Sequence, residues 1–258
     1  MEINLEVCRT IAVQHGLPLQ YVIKEFQLFY VLSQITAYCT RENKKLIFKG
    51  GTALNKVYLN KGQRFSEDID FDIEGEDSRP FAKEIADKIN GYEITAFRKV
   101  RKTSMFSCNY ESPLGKDHIR VDIAGKKIIT SKPLQRKSAV SEITRGSVSG
   151  FEVYELEDLV ARKMHALCTR TEGKDVFDVH NSLPLCGEMG KAISAMLESE
   201  EKVLTPAEFL ARTIEAVKKA DHKKLRNFTN PFIPVAYRPG DWLELKNDLI
   251  LKLENLKL

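Results

Sequence analysis

With 258 residues, 43% of them hydrophobic and 29% charged, the chain is long enough for one large domain or two small ones around a real core. No run of about 18 apolar residues is available to span a bilayer, and the first residues lack the sections of a signal peptide, so a cytoplasmic protein without membrane contact is expected. The net charge of +4 excludes a strongly basic chain, and five scattered cysteines without CxxC spacing exclude a disulfide framework or a zinc site.

Residues 17–39 are apolar at helical spacing, and "KKLIF" (44–48) reads as a short buried strand. Gly50 and Gly51 break the pattern. "TALNKVYLNKG" then reads as a short helix started by Thr52, and "RFSEDIDFDI" (64–73) as a strand. Residues 77–91 form a predicted helix capped by Ser78 and stopped at Gly91. Alternating segments between 92 and 154 predict several strands joined by polar loops. Beyond 155 the pattern is helical, with capping-box spacing at Thr205/Glu208 and Asp241/Glu244. The expected architecture is α+β: a mixed sheet with flanking helices over 1–154, and a helical unit over 155–258.

In the acidic strand, Ile69, Phe71 and Ile73 turn to the core while Asp68, Asp70 and Asp72 share the other face. Such side chains lie about 7 Å apart, and clustered carboxylates repel unless a cation neutralises them. Mg²⁺ does so, and it is held by carboxylates together with substrate phosphates. In "HIRVDIA" the same alternation turns Asp122 outward, so a neighbouring strand can add a third carboxylate. Gly50, Gly51 and Thr52 sit at a predicted helix start, where free N–H groups and the helix dipole suit a triphosphate. An acidic solvent face on an edge strand explains the aspartates alone, but not this ordered set.

The pattern hG[GS] at Lys49-Gly50-Gly51, DhD at Asp68-Ile69-Asp70 and hDh at Val121-Asp122-Ile123 resembles the polymerase-β-type nucleotidyltransferase superfamily. The string "GGTAL…RFSEDIDF", with "LEDLVARKMHAL" and "KDVFDVH" downstream, is similar to the AbiEii/AbiGii toxin family within it. The resemblance implies a polymerase-β-like sheet and an abortive-infection, type IV toxin that transfers NMP from an NTP. It further implies Mg²⁺ or Mn²⁺ as cofactor, a cognate antitoxin as partner and RNA, tRNA above all, as acceptor, since relatives in the family add nucleotides to tRNA. By the same resemblance Asp68, Asp70 and Asp122 are metal ligands, and Gly50, Gly51 and Thr52 form the phosphate loop. Arg64 and Ser66 contact phosphate or fix the turn.

In "LEDLVARKMHALCTR", Lys163 falls in the middle of an apolar helical stripe, where an unpaired ammonium is costly. It either pairs with an aspartate of the next helix or reaches the nucleotide phosphates, oriented by Asp175 or Asp178, which are three apart on one helix face. His180 reads as an ordinary helix residue. The run "FRKVRK" (97–102), with Lys126, Lys127, Arg136 and Lys137, is a solvated face or an RNA-backbone surface. Two readings of other kinds remain: a catalytically silent nucleotide- or RNA-binding partner, and an enzyme that nucleotidylates protein.

Overall fold

The computed structural model describes residues 3–59, 61–75 and 77–258. Two helices, α1 (Leu5–His15) and α2 (Leu19–Arg41), lead into strand β1 (Ile47–Lys49). Helix α3 (Gly50–Ala53) follows directly and continues as a π-helical turn, Leu54–Tyr58. Strand β2 (Asp68–Glu74), helix α4 (Arg79–Ala86) and strands β3 (Glu93–Val100), β4 (Thr103–Ser112), β5 (Gly115–Lys126), β6 (Gln135–Val140) and β7 (Ser147–Val153) come next. The remainder is helical: α5 (Leu156–Arg170), α6 (Gly173–Ser182), α7 (Gly190–Ser199), α8 (Pro206–Lys219), α9 (His222–Thr229) and α10 (Trp242–Glu254).

The strands form one mixed sheet in the order β3-β4-β5-β2-β1-β7-β6. The β2–β5 and β1–β7 pairs are parallel and the others antiparallel. The period-two pattern holds where it was read: Ile69, Phe71, Val121 and Ile123 are fully buried and Ile73 nearly so. Helix α2 packs against β2, β5 and β7, burying Val22, Leu28, Val31, Leu32 and Ile35, each worth roughly 1.5–3 kcal/mol relative to exposure. On the helical side, α5 touches α6, α7 and α8, and one cluster of buried side chains runs from Cys8 to Leu253.

Several local expectations are corrected. The predicted helix of 77–91 covers only Arg79–Ala86, and Asp77 rather than Ser78 receives the Arg79 N–H. The Ser78 hydroxyl instead donates to Lys102 O and meets Ser104, tying the helix start to β4. Gly91 does not end that helix; it has φ +82° and lies in the bend that leads into β3. The glycine-pair helix begins at Gly50, two residues before Thr52. Thr205/Glu208 forms the full capping box, whereas Asp241 caps α10 by accepting from Leu243 N–H. Helices α1 and α9 were not anticipated. The basic residues do not form one surface, because residues 97–102 follow the β3 edge while Arg136 and Lys137 lie on β6, the opposite edge.

Candidate active site

The register places Lys49 opposite Asp70, Asp70 opposite Asp122, and Asp122 opposite Met105. One row therefore crosses β1, β2, β5 and β4 as cation, carboxylate, carboxylate, thioether. In the next row Asp68 lies opposite Arg120. Lys49, Asp68, Asp70, Arg120 and Asp122 border a cavity of about 340 Å³ whose wall also includes Gly50, Gly51, Ser66 and Lys163.

Arg120 lies between two of the carboxylates. Its Nη2 donates to Asp68 Oδ2 at 2.7 Å, and its Nε is 3.2 Å from Asp122 Oδ1. The second contact has ion-pair distance but not hydrogen-bond alignment, so Asp122 Oδ1 stays buried without a hydrogen-bond partner. Among the described residues no three His, Cys, Asp or Glu groups close a metal cage. Even so, three carboxylates face one guanidinium, and the deficit shows in their proton affinities. Burial raises the pKa of Asp68 and Asp70 despite Arg120 and Lys49 nearby, and burial with Asp70 beside it pushes Asp122 up to about 6. An orphaned carboxylate oxygen and surplus negative charge fit a divalent cation with oxygen ligands.

Asp72 behaves differently from the reading that grouped it with the metal carboxylates. It lies on the same face but is fully buried. Lys49 Nζ is 2.5 Å from its Oδ1, Lys126 Nζ is 3.6 Å from its Oδ2, and the Tyr154 hydroxyl donates to Oδ2 at 2.7 Å. Burial opposes its ionisation, yet Lys49 and Lys126 hold its pKa below the usual carboxylate range. Asp72 is thus closed to a metal.

Both glycines are required by space. Gly50 has φ +75°, and a Cβ there would stand 2.1 Å from Asp70 Oδ2. At Gly51 it would meet Arg64 Nη2 at 2.6 Å and Lys163 Nζ at 3.4 Å. Gly50→Ala should therefore cost about 1–3 kcal/mol of backbone strain and displace Asp70; thermal melts and transfer rates check it. Thr52 lines the cavity, and its hydroxyl donates to the Asp68 carbonyl, which fixes the entry to β2. The Ser66 hydroxyl is buried at the cavity wall and has no partner among the described residues.

Lys163 joins both expected partners. Its Nζ lies 2.6 Å from Asp175 Oδ1 and 2.9 Å from Asp178 Oδ2, so neither aspartate acts alone. Arg64 donates from Nε and Nη2 to the two oxygens of Asp178 at 2.9 and 2.6 Å. Arg170 donates in the same way to Asp175 at 2.8 and 3.0 Å. Arg64 therefore belongs to this buried network while also reaching the cavity wall. Asn55, which the sequence reading missed, donates to Gly51 O and Asp178 Oδ1 and accepts from Arg64 N–H. Only its helical distance of four from Gly51 pointed to it. His180 lies away from the cavity beside Asp248 and Lys252.

Two carboxylates give opposite pH signatures. Burial raises the Asp175 pKa, but Arg170 and Lys163 overcome it and bring it down to about 2. Its stabilisation is present above the ordinary value of 3.8 and is lost as pH falls toward 2. Asp122 is raised from 3.8 to about 6, so its contribution is present below 3.8 and lost as pH rises through 6. Asp122→Asn should thus stabilise the metal-free protein above pH 6 by about 1–3 kcal/mol, with little effect near pH 4. Melting curves at the two pH values check this, and unchanged stability at neutral pH would count against it.

A mixed sheet carrying a carboxylate row beside a glycine-started helix is the arrangement expected of a nucleotidyltransferase. The sequence model of the family described as nucleotidyl transferase AbiEii toxin, type IV TA system, matches residues 35–251, and the chain belongs to that family. Among solved structures it is similar to MenT4, a nucleotidyltransferase toxin from Mycobacterium tuberculosis H37Rv, with TM-score 0.70 and 14% identity over 99% of this chain and 91% of that one. It is also similar to JHP933 from Helicobacter pylori, with TM-score 0.53 and 17% identity over 92% of each chain. At these identities the likeness is one of fold. No curated protein matches the chain in sequence. The family makes the protein a nucleotidyltransferase toxin and implies an NTP substrate and an antitoxin partner. Among the described residues no helix is long and apolar enough to cross a membrane.

Proposed function

We propose that the protein transfers NMP from an NTP to a hydroxyl of RNA, tRNA in particular, with Mg²⁺ or Mn²⁺ held by Asp68, Asp70 and Asp122. The observation that carries this reading is the register of the row: Asp70 stands between Lys49 on one side and Asp122 on the other, beside the Gly50–Gly51 helix start. The acceptor hydroxyl enters on the Asp122 side, and its proton passes to that carboxylate. The acceptor oxygen bonds to the α-phosphorus, the bond from that phosphorus to the α,β-bridging oxygen breaks, and pyrophosphate leaves. The divalent ion, when bound, supplies positive charge to the entering and leaving oxygens. Gly50 and Gly51 leave room for the triphosphate beside the start of α3, and the free Ser66 hydroxyl is available to it. Lys163, fixed by two carboxylates, presents its ammonium at the same helix start. Arg170 and Lys174 on the cavity wall suit a polyanionic acceptor.

The test is incubation of purified protein with Mg²⁺, each α-³²P-labelled NTP in turn and total cellular RNA. Label on an RNA band, dependent on Asp70, supports the reading. Label on protein alone would replace RNA with a protein acceptor, and nucleotide binding without any transfer would leave a silent binding partner.

A further inference from the structure

Lys49 occupies the position before the glycine pair that the superfamily pattern writes as hydrophobic. Its neighbour on the same strand face, Ile47, keeps that character and lies opposite Asp72, whereas Lys49 lies opposite Asp70. The lysine side chain is 21% exposed and borders the cavity, while Asp72 behind it is fully buried. Both Asp72 oxygens are engaged, one by Lys49 and the other by the Tyr154 hydroxyl and Lys126. The Tyr154 hydroxyl holds Oδ2 by a hydrogen bond, Oδ1 has the ion pair with Lys49 but no hydrogen bond among the described residues, and the fully buried carboxylate keeps the ammonium at the cavity edge. Lys126 is 3.6 Å from Asp72 but 2.8 Å from Glu200, so Lys49 is the close counter-charge of Asp72; an apolar pair at the two positions would avoid the desolvation cost that mere neutralisation carries. An ammonium carries three donors. Asp72 takes one, and the others are available toward the cavity.

We propose that Lys49 is a further catalytic residue of the transfer: its ammonium, aimed by Asp72, contacts the β- and γ-phosphoryl oxygens of the donor and stays with pyrophosphate as it leaves. The direction follows from the row. In-line displacement puts the leaving group opposite the acceptor, and Lys49 lies across Asp70 from Asp122. This inference rests on the proposed entry of the acceptor beside Asp122, but not on the acceptor being RNA.

The test is calorimetric titration with inorganic tripolyphosphate in MgCl₂, which involves no acceptor. Lys49→Met should weaken binding about tenfold or more, as expected for loss of a charge-assisted contact, and Lys49→Arg should retain most of it. Because Lys49→Met leaves Asp72 short of a partner, the double variant Lys49→Met/Asp72→Asn is measured beside it, with melting curves for each. The double variant should remain weak, and in a transfer assay it should resist inhibition by pyrophosphate. Recovery of wild-type affinity in the double variant would overturn the proposal, since Lys49 would then only offset Asp72. Unchanged affinity in Lys49→Met, or no tripolyphosphate binding by the wild-type protein, would overturn it too. Unlabelled RNA in the transfer experiment would instead defeat only the choice of acceptor.

Discussion

Asp70→Asn should lower the rate of nucleotidyl transfer by at least about 10³-fold, the scale on which one charge-stabilising group acts at a transition state, while leaving the fold intact. Asp70 is the centre of the row, with Lys49 to one side and Asp122 to the other. Burial raises the pKa of Asp68, Asp70 and Asp122 despite the cations around them, so a divalent cation would relieve the site. Removing one carboxylate weakens the hold on such a cation. The fold should tolerate the change because the amide is nearly isosteric and the lost charge was opposed by burial in the first place. The melting temperature of the metal-free variant should equal or exceed that of the wild-type protein, and added Mg²⁺ should raise it less. Transfer within tenfold of wild type by a correctly folded variant would remove Asp70 from the mechanism.

The parts of this site that were legible in the sequence are those imposed by backbone periodicity. Asp68 and Asp70 could be placed on one face because period two in a strand allows no other arrangement, Asp122 could be offered to that face only if its strand lay alongside, and the Gly50–Gly51 pair marked a break that a side chain cannot replace. Lys163 stood out because an ammonium on an apolar stripe needs a partner. Residues whose role depends on what faces them across the fold stayed hidden. Asp72 has the same pattern as Asp70 and differs through Lys49, Lys126 and Tyr154, the last of them 82 residues away. Arg120 reads as a solvated strand residue until parallel pairing sets it against Asp68. Thr52 and Ser78 both read as cap residues and both spend their hydroxyls on tertiary bonds. Helix α9 escaped notice because only Leu225 and Thr229 of its eight residues are buried, too few for a periodic signal.

Asp178→Ala should destabilise the protein by about 3–5 kcal/mol, the range for removing one partner of a buried ion pair, and should also abolish transfer. The aspartate is fully buried and receives Arg64 through two bonds, Asn55 through one and Lys163 at 2.9 Å. Its loss strands the Arg64 guanidinium, whose remaining hydrogen bond among the described residues goes to Phe65 O. Asp175→Ala should cost less, because Arg170 is 53% exposed and water can take over. Urea unfolding of the two variants measures the difference, and equal losses would contradict the placement of Arg64. Stability and function can then be separated with Arg64→Met/Asp178→Leu, which replaces the buried pair by apolar side chains and keeps Lys163 on Asp175. That variant should recover much of the lost stability, since apolar replacement of a buried pair is often neutral or better. It should not recover transfer, because Asn55 would no longer link the Gly51 carbonyl to a carboxylate and the helix start would lose its fixed position beside Asp70.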